Sequence, residues 1–175
     1  MDISQFTSLL NKKSKELKNY TITQFPSKAG KIAMRFVNNN FREQGYRGTT
    51  FKAWKANKRG STILVKTGKL RAATYFTTQP GQFTIKNPMK YAKIHNEGFS
   101  GKIKVKAHSR NKYKKTRVGN QTMTMKSGQG KVKAHDRNVN IPRRQFIPTE
   151  DNPSPTLYKN ILRATAKDID KIMNK

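Results

Sequence analysis

Apolar residues at Ile3, Phe6, Leu9, Leu10 and Leu17 recur at the spacing of an amphipathic helix over residues 3–18, with a Lys-rich middle. A stronger helical pattern follows, in which Ala29, Ile32, Ala33, Phe36, Val37 and Phe41 share one face. Pro26 suits its first turn and Gly45 its end, so this second helix is expected to back the core. Periodicity lapses from Gly45 to Lys66, which reads as a loop or extended arm with Phe51 and Trp54 set among Arg47, Lys52, Lys55, Lys58 and Arg59. Thr67 is the expected N-cap of a short helix containing Leu70. Two alternating runs, 74–78 and 82–86, flank Pro80 and Gly81 and predict a hairpin. Pro88 to Gly98 predicts one or two helical turns, with Met89 and Ala92 on the buried side and Ile94 and His95 as further candidates for it.

The next stretch is nearly duplicated. Residues 104–110 read Lys-Val-Lys-Ala-His-Ser-Arg and residues 131–137 read Lys-Val-Lys-Ala-His-Asp-Arg, identical at six of seven positions. Each copy alternates with period two, which predicts a long antiparallel ribbon whose legs are the near-repeats and whose tip, 111–130, is irregular or mobile. On such legs Lys104, Lys106, Lys131 and Lys133 are expected to share one face opposite Val105 and Val132. Two strands alone are marginal in water, so the ribbon needs a sheet, a partner subunit or a polyanion against it. Pro142 and Pro148 then hold 140–148 extended. Pro155 opens a last helix with an apolar stripe through Leu157, Ile161, Leu162, Ala164 or Thr165, Ile169 and Ile172. The sum is an α+β fold: one domain over 1–175, with a small antiparallel sheet packed by N-terminal and C-terminal helices and a protruding basic β-ribbon at 101–137.

Charge sharpens the functional side. The chain carries 38 Lys and Arg against 9 Asp and Glu, a formal net charge of +29, and no acid stands between Glu43 and Glu97. Such a chain repels itself unless an anionic partner lies nearby. A membrane is a poor candidate, because no apolar run approaches about 18 residues and the N-terminus lacks a signal-peptide layout. From Phe99 to Phe146, 14 Lys and Arg face one acid, Asp136, a local net charge of +13. Arg110, Lys114, Lys115, Arg117 and Arg137 join the four repeat lysines as candidate contacts to nucleic acid or a partner. Only Phe99 and Tyr113 supply aromatic rings, so base stacking is not suggested.

Catalytic chemistry has little to work with. His95 with Glu97 and His135 with Asp136 are the only acid–imidazole neighbours, and the chain shows no nucleophile elbow, phosphate loop or paired carboxylates. No cofactor is expected. With no cysteine, and three His lacking a carboxylate at a recognised spacing, neither is a metal site.

The order of motifs resembles a known family. Thr67 to Arg71 (Thr-Gly-Lys-Leu-Arg), a hairpin, Tyr91 to Gly98 (Tyr-Ala-Lys-Ile-His-Asn-Glu-Gly), Ile141 to Ile147 (Ile-Pro-Arg-Arg-Gln-Phe-Ile) and a closing helix resemble the virion-morphogenesis, or tail-completion, family of Mu-like phages and related minor neck proteins of tailed phages. Arg143 stands where that family often has Ala. The resemblance implies a small α+β subunit, not an enzyme, forming a homo-oligomeric ring at the head–tail junction of a virion. Its implied partners are other neck, portal or tail proteins and the packaged DNA. Gly68, Leu70, Tyr91, His95, Gly98, Pro142, Arg144 and Phe146 are then the motif residues, with largely architectural roles. The competing reading, from charge alone, is a non-specific nucleic-acid-binding protein with a basic β-ribbon arm.

Overall fold

The computed structural model describes residues 2–57 and 60–174; Lys58 and Arg59 of the expected 45–66 loop lie outside these residues. The fold is α+β and divides into two compact units, Met1–Gly98 with Pro142–Lys175, and Phe99–Ile141.

In the first unit, helix α1 (Ile3–Asn19) opens on a capping box in which Ile3 N–H donates to Asp2 at 2.7 Å and Asp2 N–H donates to Gln5 at 3.2 Å. Contrary to the expectation of two separate helices, it does not end before the second one. It runs through a π-turn, Tyr20–Gln24, directly into α2 (Phe25–Glu43). Pro26 accounts for the irregularity: it has no N–H for the ladder, and the Phe25 N–H reaches back to the Tyr20 carbonyl. The Ile22 carbonyl, four residues before Pro26, instead accepts the N–H of Gly81 at 3.4 Å.

The two helices use their faces differently. Ile3, Phe6, Leu9 and Leu10 of α1 are exposed, Ile3 by 83%, so the expected apolar stripe faces away from the core. Helix α2 buries the predicted face, and Gly30 also lies on it, where an added Cβ would come within 2.2 Å of the Phe76 ring. That close approach seats the hairpin β3 (Tyr75–Gln79) and β4 (Gln82–Lys86), whose turn is Pro80 and Gly81, the latter at φ +72°. Phe41 centres the core, with ring centroids 5.6 Å from Trp54 and 5.1 Å from Phe146.

Residues 45–66 are not merely a loop. Gln44, at φ +55°, ends α2 and turns the chain into a small hairpin, β1 (Gly45–Arg47) with β2 (Phe51–Ala53). Trp54 then enters the core and its indole N–H donates to the Gln145 carbonyl at 2.8 Å. Helix α3 (Lys69–Ala72) has Gly68 at its N-cap with φ +70° and no side-chain cap, so Thr67 is not the cap. Helix α5 (Pro155–Met173) begins at Ser154, whose hydroxyl accepts the Leu157 N–H at 3.1 Å. Its inward stripe differs from expectation: Leu162 and Ile169 are exposed, while the partly buried Asp168 carboxylate pairs with Lys28 and accepts the Tyr20 hydroxyl at 2.8 Å.

The second unit is all strand. β5 (Phe99–Val105) pairs with β8 (His135–Ile141), and β6 (His108–Val118) with β7 (Gln121–Val132). The expected irregular tip is a regular ladder closed at Gly119 and Asn120, with one bulge: Lys112 faces Gly128 and Tyr113 faces Lys126, leaving Ser127 over.

Candidate functional site

The near-repeats lie across from each other about their centres. Val105 faces His135 and His108 faces Val132, so each valine of one copy meets the histidine of the other. Lys106 with Ala107 and Lys133 with Ala134 fall between the two ladders, outside both strand pairs. At each corner the His Nδ1 lies close to the Lys carbonyl two residues back, 2.9 Å for His108 and Lys106 and 3.0 Å for His135 and Lys133. A carbonyl only accepts, so Nδ1 carries the proton in both rings. The duplication therefore encodes a paired corner that interrupts both legs at one level.

This register overturns the single face of four lysines. Lys104 faces Asp136, Lys131 faces Ser109, and Lys106 and Lys133 occupy the corners. Because the copies run antiparallel, Lys104 and Lys131 each meet a residue from the other copy's far end rather than their own equivalent.

Beyond the bulge the ribbon has two distinct faces, since directly opposed residues share a side and neighbours alternate. Tyr113 with Lys126, Lys115 with Thr124 and Arg117 with Thr122 form one. Lys114 with Met125, Thr116 with Met123 and Val118 with Gln121 form the other. Val118, Met123 and Met125 are all more than half exposed. Of the predicted contact residues, Lys115 and Arg117 thus share the cationic face, whereas Lys114 stands on the apolar one. Arg110 faces Gly130 and Arg137 faces Ile103.

In the first unit, four motif residues from three separate stretches of the chain converge. Leu70, Tyr91, His95 and Arg144 line one open cleft of about 430 Å³, with Lys66 at the same cleft. Helix α4 (Ala92–Glu97) supplies His95, whose ring meets Tyr91 edge-on at 6.0 Å. The guanidinium of Arg144 donates to the Lys55 and Ala56 carbonyls at 3.1 and 3.5 Å, and its backbone N–H donates to the His95 carbonyl at 2.8 Å. His95 Nδ1 is buried without a hydrogen-bond partner among the described residues. Burial, and then the charge of Arg144, push the imidazole pKa below its ordinary value, which keeps the ring neutral near pH 7.

The remaining motif residues lie apart from the cleft. Gly98 ends α4 at φ +82°, Gly68 caps α3, Pro142 follows β8 and Phe146 is fully buried in the core. What the sequence reading missed is a set of amides. Asn96, Asn40 and Gln145 are buried, and each bonds backbone groups of the 145–152 stretch. Asn96 and Asn40 sit among the apolar positions of their helices, the one signal that could have singled them out.

Among the described residues, no three His, Asp or Glu side chains are grouped as metal ligands. No helix among them is long and apolar enough to cross a membrane. Compared with known proteins, the chain matches no family model, no curated protein and no solved structure.

Proposed function

We propose that this chain is a structural subunit of a tailed-phage virion, forming a ring at the neck and completing the tail around the DNA channel. The observation that carries the reading is the ribbon. Residues 99–141 hold 12 Lys and Arg against one acid, and none of them is buried. A two-stranded element with so much like charge and no core of its own is stabilised by something outside it. The two faces beyond the bulge suit a double contact: Lys115, Arg117 and Lys126 toward phosphates or an acidic neighbour, and Val118, Met123 and Met125 toward another protein surface. Further support comes from the order of the motifs and from the convergence of Leu70, Tyr91, His95 and Arg144 on one cleft. The partners in this reading are other copies of the chain, neck, portal or tail proteins, and packaged DNA. The subunit works by shape and charge rather than catalysis.

Light scattering at moderate salt tests the assembly claim, with the protein alone and with its particle neighbours. A ring former self-associates or does so on meeting those neighbours. A monomer or dimer that changes size only when duplex DNA is added favours the nucleic-acid-binding reading, which the ribbon's charge also supports. Replacing Lys115, Arg117 and Lys126 by Gln is expected to flatten the slope of log affinity for DNA against log salt by up to about 2.7 if all three meet phosphates. Locating the protein in purified particles decides between virion and non-virion roles.

A further inference from the structure

The geometry points to the cleft at Lys66, Leu70, Tyr91 and Arg144 as a docking site for a partner-protein segment that presents a carboxylate beside an apolar side chain. This goes beyond the ring proposal and does not require it.

The cleft is chemically divided. Ile63, Leu70 and the Tyr91 ring give it an apolar part, and Lys66 and Arg144 give it two positive charges, while no acidic residue among those described lines it. Neither cation is paired with a carboxylate among the described residues. Two like charges at one concave site favour an anion there. Its volume of about 430 Å³ suits a few side chains rather than an extended polymer.

The apolar part decides which anion. Ser61, Thr62 and Thr67 also line the cleft, but inorganic phosphate, polar on every side, would leave Ile63, Leu70 and the Tyr91 ring uncovered by any apolar group. Arg144 has also committed its Nε and one Nη to the Lys55 and Ala56 carbonyls, so part of the fork that phosphate sites exploit is already tied to the loop. A single carboxylate needs less: the charge of both cations and the remaining guanidinium hydrogens. An adjacent leucine-like side chain then covers Leu70 and the ring of Tyr91. The neutral His95, braced edge-on by Tyr91, serves as a fixed wall and adds no third charge.

The test uses the full chain, ¹⁵N-labelled, titrated with the blocked dipeptide acetyl-Leu-Asp-amide, its uncharged analogue acetyl-Leu-Asn-amide, and inorganic phosphate, all at matched ionic strength. Saturable shifts confined to the amides of Lys66, Leu70, Tyr91 and His95 are expected with the acidic peptide, with affinity about tenfold weaker for the uncharged one. Lys66→Gln, at an exposed position that leaves the fold intact, should weaken the acidic peptide about fivefold. Equal binding of the two peptides, shifts that never saturate, or an unchanged affinity in Lys66→Gln would each overturn the proposal. Saturable phosphate binding at the same residues without a peptide response would overturn it in favour of a phosphate site.

Discussion

Asn96 holds the backbone of Phe146 as a neighbouring strand would: its Oδ1 accepts the Phe146 N–H at 2.9 Å and also the Ile147 N–H at 2.9 Å. The Phe146 carbonyl in turn accepts Asn40 Nδ2 at 3.2 Å, so both polar backbone groups of a fully buried residue are satisfied by side-chain amides. Pro142 and Pro148 keep this segment extended but remove ladder donors. Amides take the place of the missing sheet, and the large ring of Phe146 can be buried from irregular backbone.

Asn96→Ala leaves two backbone donors without a partner in the interior. The expected loss is about 2 to 4 kcal/mol, read as a lower urea midpoint at unchanged slope. A midpoint equal to wild type would show that water or a shifted backbone replaces the amide at no cost.

Phe146→Ala removes the ring that packs on Phe41 and should cost about 3 to 5 kcal/mol, with much of the protein insoluble. Combined with Asn96→Ala the total loss should fall short of the sum of the two, because truncating the ring opens the site around the backbone N–H that Asn96 holds and lowers the cost of losing that bond. Strict additivity in a double-mutant cycle would mean that the bond and the ring act independently.

His95 gives a pH signature. Its folded pKa lies below the ordinary 6.5, so the unfolded chain binds the proton first as the pH drops. Stability is therefore full above about pH 6.5 and falls as the pH is lowered through the folded pKa. His95→Gln should flatten the decline of melting temperature between pH 7 and pH 5. The Asp168 carboxylate, held below its usual range first by its bond to Lys28, loses its contribution only at lower pH, below its ordinary 3.8. An unflattened decline in His95→Gln would assign the pH response elsewhere.

Replacing 111–130 by a two-residue turn joins Arg110 to Lys131 and should leave the first unit's melting transition unchanged, since none of the removed residues is buried. Self-association, or DNA retention at moderate salt, should be lost. A destabilised first unit would show that the distal ladder supports the core.

The sequence by itself determined which segments are helical, where the Pro80–Gly81 hairpin turns, that α2 backs the core, and that one stretch near the C-terminal third is a basic ribbon. These follow from local periodicity and from residues with restricted backbones, which act over a few positions. Register, pairing and polar satisfaction depend on residues brought together from afar, and tertiary structure decided them. Nothing local says that Val105 meets His135, that the lysines of the near-repeats part company, or that Asp168 rather than Ile169 turns inward to Lys28. The continuous run from α1 into α2 was also hidden, because the carbonyl released by Pro26 is satisfied at Gly81, far along the chain. The cleft was legible only as separate motif residues. It becomes a site because the extended segment carrying Arg144 is bonded through its backbone to His95, and that segment lies where it does because buried amides complete its hydrogen bonds.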